Sequence, residues 1–189
     1  MKTFALFIVL ITGIFNSIQS LGQVPNAQVE KVTLQASGLT CSMCSNAINK
    51  ALSSLEFVQN IEPNIQNSSF EISFRQGARV DFDQLKKKVE DAGFFVSNLT
   101  ASINFDHVEL ADDSHLVVGG NTIHFVNSGR RVLDGPTTIR LLDKGFVSSK
   151  EYKKNSQLSS MECYKTGVAS ACCTRDGLKA GTRVFHATI

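Results

Sequence analysis

The feature that most constrains the fold is a change of hydrophobic period that recurs between residues 29 and 104. Val32, Leu34 and Ala36 alternate with Thr33 and Gln35, the period of two that marks a half-buried strand, and Gly38 ends it. Ala47, Ile48, Ala51, Leu52 and Leu55 then fall on one face at helical spacing. Phe57 to Ile65 is a weaker strand candidate, disturbed by Pro63. Phe70, Ile72 and Phe74 alternate with Glu71, Ser73 and Arg75, and Gln76-Gly77 turns the chain. Asp81 with Gln84 three residues on is a capping-box-like helix start. Phe82, Leu85, Val89 and Ala92 form the apolar stripe of that helix, Lys86, Lys87 and Lys88 its wet side, and Gly93 its end. Phe95 to Ile103 supplies a last strand.

Strand, helix, strand, strand, helix, strand is the ferredoxin-like βαββαβ plan, so an α+β sandwich is expected over residues 28–104. The texture changes from Phe105. Short apolar stretches such as Ile123 to Phe125, Ile139 to Leu142 and Arg183 to Ile189 alternate with Gly- and Asn-rich turns. That spacing predicts a small antiparallel β-rich domain over 105–189, with a boundary near 104–106 and no flexible linker. Ser148 to Leu158 reads as a helix or a loop.

Lys2 precedes an almost wholly apolar run from Phe4 to Phe15, and small residues Ser20 and Gly22 stand at −3 and −1 of a cleavage site. This is the pattern of a signal peptide over residues 1–22. The run is shorter than the roughly 20 residues that span a bilayer. The expectation is a secreted or periplasmic chain that starts near Gln23 and has no membrane segment. Thiols tend to be oxidised in such compartments, and five cysteines leave at least one unpaired in a monomer. Metal ligation is one reason to keep thiols there.

The chemistry is concentrated in Gly38-Leu39-Thr40-Cys41-Ser42-Met43-Cys44, which joins the first strand to the first helix. Two cysteines at this spacing on a loop can turn their sulfurs to one side. Cys44 falls in the first helical turn, where unpaired N–H groups and the helix dipole favour an anion. Two soft thiolates suit a soft ion such as Cu(I), and two ligands leave it open to exchange. A structural zinc site would close with four.

This stretch, followed by Ile48 and Ala51-Leu52, resembles the metal-binding loop and first helix of the heavy-metal-associated domain. That family includes copper chaperones, the N-terminal modules of copper-transporting ATPases and the periplasmic mercury-binding protein. Val89-Glu90-Asp91-Ala92-Gly93-Phe94 resembles the second helix and its end in the same family. The resemblance covers about Val29 to Asn104. It implies a ferredoxin-like domain whose ligands are Cys41 and Cys44, holding Cu(I), with Hg(II), Ag(I) and Zn(II) as alternatives. Leu39 stands where the family usually has a buried Met that supports the loop, a near-isosteric change. Phe94 stands where copper chaperones often carry Lys or Tyr, and resembles the ATPase-module version. The partners implied are the metal ion and a metal transporter or another metal-binding protein.

Two rival readings of Cys41–Cys44 are a redox dithiol and a structural disulfide. Met43 is read as pointing to solvent or packing locally rather than as a thioether ligand. For Cys163, Cys172 and Cys173 the expected arrangement is a disulfide from Cys163 to Cys172 or Cys173, the alternative a second thiolate site helped by a histidine. His107, His115, His124 and His186 show no zinc spacing and read as isolated surface or packed side chains. No nucleophile triad, phosphate loop or paired-carboxylate motif stands out, so no enzymatic activity is expected. A formal net charge of +2, no tryptophan and no basic footprint argue against a nucleic-acid partner.

Overall fold

The computed structural model describes residues 27–39, 41–171 and 173–189. The signal peptide expected over residues 1–22 lies outside them, as do Thr40 and Cys172. Among the described residues no helix is long and apolar enough to cross a membrane.

The first six elements are β1 (Gln28–Ser37), α1 (Ser42–Ser53), β2 (Val58–Asn64), β3 (Ser69–Phe74), α2 (Phe82–Asp91) and β4 (Phe95–Leu110). Their strands lie in the order β2-β3-β1-β4, all antiparallel, as the βαββαβ plan requires. Alternation places Val32 and Leu34 of β1, Phe70 and Ile72 of β3, and Leu99, Ala101 and Ile103 of β4 in the core. Ile48 and Leu52 of α1 and Phe82, Leu85 and Val89 of α2 are buried in the same cluster. Pro63 is tolerated because β2 is an edge strand, where a missing N–H costs no ladder bond.

The second helix begins and ends as its sequence requires. Asp81 accepts from the Gln84 backbone N–H at 3.0 Å and from its side chain at 2.9 Å. At the other end Phe94 N–H reaches the Val89 carbonyl and Gly93 N–H the Glu90 carbonyl, a Schellman motif. Gly93 has φ +88°, which a side chain would resist.

Beyond β4 come β5 (Ser114–Val118), β6 (Asn121–Phe125), β7 (Arg131–Leu141), α3 (Ser149–Asn155), α4 (Cys163–Thr166), a 3-10 turn at Thr174–Asp176, and β8 (Val184–Thr188). These strands continue the same sheet, giving β2-β3-β1-β4-β7-β8-β6-β5. The boundary expected near 104–106 falls inside β4. The strand bulges there, between Phe105 and Val108, with His107 at φ 47°, and then runs on against β7. One apolar cluster contains both Leu85 and Val89 and, from the other half, Ile123, Phe125, Phe146 and Phe185. Phe82 meets Phe185 edge-on at 5.3 Å, and Asp83 takes Arg183 Nε at 2.8 Å and Nη2 at 3.3 Å.

The sequence predicts an antiparallel arrangement for the added strands, and the structure corrects it. β6 and β7 follow one another in opposite directions, but β8 enters between them. A strand between two opposed neighbours must be parallel to one, and β8 is parallel to β6 and antiparallel to β7. Ser148 to Leu158 resolves in favour of a helix, since the Ser148 hydroxyl accepts from Glu151 N–H at 3.2 Å.

Candidate metal centre

Gly38, at φ +88°, turns the chain out of β1, and Leu39 is half-buried against the core below. Cys41 then takes an extended conformation as the N-cap of α1, with φ −156° and ψ 165°. Its carbonyl accepts from Cys44 N–H at 3.1 Å and from Ser45 N–H at 3.3 Å. One turn of helix therefore brings Cys44 back over Cys41, and their Sγ atoms lie 3.1 Å apart. Cys41 is exposed and Cys44 half-buried.

The two helix starts differ in a way that matters for charge. Asp81 caps α2 and Asp83 adds a carboxylate to its first turn, whereas α1 has no side-chain cap and no acid there. The partial positive charge at the start of α1 is thus left to the cysteine sulfurs. Two thiolates on one ion at about 2.3 Å each can sit up to about 4.6 Å apart, so rotation of the exposed Cys41 side chain opens room for a metal. Met43, between the cysteines, is 83% exposed and turned to solvent. Leu39, Cys41, Ser45 and Ile65 line a small cleft beside the loop. Phe94 packs under it, and a Cβ on Gly38 would lie 3.8 Å from the Phe94 ring.

Elsewhere, three of the four histidines that look isolated in the sequence are brought together. His115 stacks on His124 with ring centroids 4.6 Å apart, and His186 meets His124 edge-on at 5.2 Å. His107 stays apart and exposed in the β4 bulge. Cys163 Sγ is 3.7 Å from His124 Nδ1 and 3.5 Å from His186 Nε2. Cys163 and Cys173 are both buried in one small cluster with Ala169 and Val184, while Cys172, an expected disulfide partner, lies outside the described residues. Sequence spacing could not bring the histidines together, because register does so. His115 faces His124 across β5–β6, and His124 faces His186 across β6–β8.

Comparison with known proteins bears on the first half of the chain. Residues 33–95 match the family model of the heavy-metal-associated domain. The chain is 33% identical over 72 residues to a probable copper-exporting P-type ATPase of Archaeoglobus fulgidus, covering 38% of this chain and 9% of the ATPase. It is 32% identical over 82 residues to a copper-exporting P-type ATPase of Staphylococcus aureus strain Newman, covering 43% of this chain and 10% of that one. It therefore spans about a tenth of the length of these relatives. Among solved structures it is similar to a yeast copper transporter domain studied in apo and Cu(I)-loaded states (30% identity, TM-score 0.32, 35% of this chain and 90% of that one). It is also similar to oxidized MerP from Ralstonia metallidurans CH34 (30% identity, TM-score 0.34, 36% and 94%). The family match, the order of its elements and the cysteine loop agree: residues 33–95 of this chain are a heavy-metal-associated domain.

Proposed function

We propose that the protein binds one Cu(I) between the thiolates of Cys41 and Cys44 outside the cytosol and passes it on, or sequesters it, by ligand exchange. The observation that carries the reading is the pair of sulfurs 3.1 Å apart, one of them exposed, at a helix start with no other anion. Two thiolates satisfy a soft ion and leave its remaining positions open to an incoming sulfur. The copper-exporting names of the ATPase relatives favour Cu(I) over Hg(II), Ag(I) or Zn(II). Met43 at 83% and Ile65 at 61% exposure give the loop an apolar rim for the partner, a metal transporter or a second metal-binding protein. The role is carriage rather than catalysis.

An anaerobic Cu(I) titration of the reduced mature chain against a chromophoric chelator tests this. One tightly held Cu(I) in the native protein and none at this site in Cys41→Ser/Cys44→Ser is the expected result. Equal, weak uptake by both would remove the Cu(I) assignment and favour the dithiol as a redox pair.

A further inference from the structure

We propose that His115, His124 and Cys163, with His186 as fourth ligand, form a second metal site, buried in the C-terminal half and suited to Zn(II). The inference does not depend on the reading of Cys41 and Cys44. Directly paired residues on adjacent strands project from the same face, so the register His115–His124–His186 sets three imidazoles in a row across β5, β6 and β8. α4 lays Cys163 against that row. One ligand atom from each of His115, His124 and Cys163 falls within 4.8 Å of the other two. Ligands on one tetrahedral zinc are about 3.4–3.8 Å apart, so a contraction of roughly one ångström closes the site.

The outer side of each ring is already anchored. His115 Nδ1 lies 2.5 Å from Asp176, His124 Nε2 3.1 Å from Asp113, and His186 Nδ1 3.0 Å from Asp143. A carboxylate only accepts, so each ring places an N–H on its aspartate and turns the opposite nitrogen inward. This is the carboxylate–histidine support that metal-bound imidazoles use.

The inner side has too many acceptors. His124 Nδ1 and His186 Nε2 both face the Cys163 sulfur, which has one proton to give. His115 Nε2 is buried with no hydrogen-bond partner. Buried polar atoms are rarely left in this state. A cation between His115, His124 and Cys163 satisfies their inward atoms, His186, 3.5 Å from the Cys163 sulfur, turns in as the fourth ligand, and the thiol proton leaves to solvent as the thiolate binds. Three imidazoles and one thiolate make a closed four-coordinate shell of intermediate softness, the set for Zn(II) rather than Cu(I). Asp113 and Asp176 are 50% and 42% exposed, so a cation meets carboxylates at the rim before it reaches the rings.

The test uses the full mature chain carrying Cys41→Ser/Cys44→Ser, reduced and anaerobic, titrated with Co(II) as a coloured stand-in. One equivalent is expected to produce tetrahedral ligand-field bands and a thiolate-to-metal charge-transfer band, both erased by one equivalent of Zn(II). Cys163→Ser should lose the charge-transfer band. Asp176→Asn, a change at a partly exposed carboxylate, should keep the fold and weaken Zn(II) binding by about tenfold or more. The proposal is overturned if the folded chain takes up no Co(II), or if it binds Co(II) with no charge-transfer band. Peptide mapping of the unreduced protein that finds Cys163 in a disulfide overturns it as well.

Discussion

The two halves of the molecule hold sulfur in opposite ways. Cys41 and Cys44 come from the cap and first turn of one helix and sit at the surface beside Leu39 and Phe94, which pack against the core. His115, His124, His186 and Cys163 come from four elements and meet with side chains 2% exposed or less. The proposed ligand set of two surface thiolates would exchange its ion without disturbing the core. A set assembled from β5, β6, β8 and α4 cannot release an ion without parting those elements. The contrast teaches that carriage and retention are distinguished less by the presence of cysteine than by how much of the fold must move to open the shell.

The largest effect should come from cutting the halves apart. A chain ending at residue 104 loses the outer part of β4 and its partner β7, and strips Phe185 from Phe82. It is expected to unfold tens of degrees lower than the full chain or without a cooperative transition, which circular dichroism against temperature reads. Independent, unchanged folding of that fragment would separate the halves after all. Phe185→Ala, at the ring that packs on Phe82 and Phe146, should cost about 3–5 kcal/mol in denaturant melts and lower both halves in one transition.

Acid should act through a group in the second half. Burial, then the neighbouring charges of His186 and His115, lowers the His124 pKa from 6.5 to about 4. The unfolded chain therefore binds more protons between these values. The stability linked to neutral His124 is complete above pH 6.5 and falls as pH drops towards 4, by roughly 3 kcal/mol in the metal-free protein. Denaturant midpoints across that range check it, and His124→Gln should flatten the slope. Zn(II) at a hundredfold excess over its dissociation constant should add about 2.7 kcal/mol to stability. The smallest effect is expected for Cys41→Ser/Cys44→Ser, which should shift metal-free stability by about 0.5 kcal/mol or less, as a surface change does. A large loss would instead mark a structural disulfide there.

Local signals were readable in the sequence and long-range ones were not. The Asp81 cap, the Gly93 end and the alternation in β1 and β3 are written in neighbouring residues, and so is the dithiol loop. Ser148 with Glu151 is a capping signal of the same kind, and it would have identified α3. The continuity of β4 through residue 105 was obscured because the bulge at Asp106-His107 breaks the alternation where the strand changes partner. The parallel β6–β8 pair and the histidine row depend on register between residues 62 positions apart, and no spacing rule carries that information. A trace was present in Asp113, which occupies a turn at φ 54° and reaches His124, but the sequence makes it one acid among 17.

The most direct measurement is X-ray absorption at the copper edge of the reduced chain, residues 23–189, loaded with one equivalent of Cu(I). Two sulfur neighbours and no outer-shell imidazole scattering are the result that the proposed assignment of Cu(I) to Cys41 and Cys44, and of a borderline ion to the buried row, predicts. Imidazole scattering with a single sulfur would contradict the account and place copper at His115, His124 and Cys163 instead.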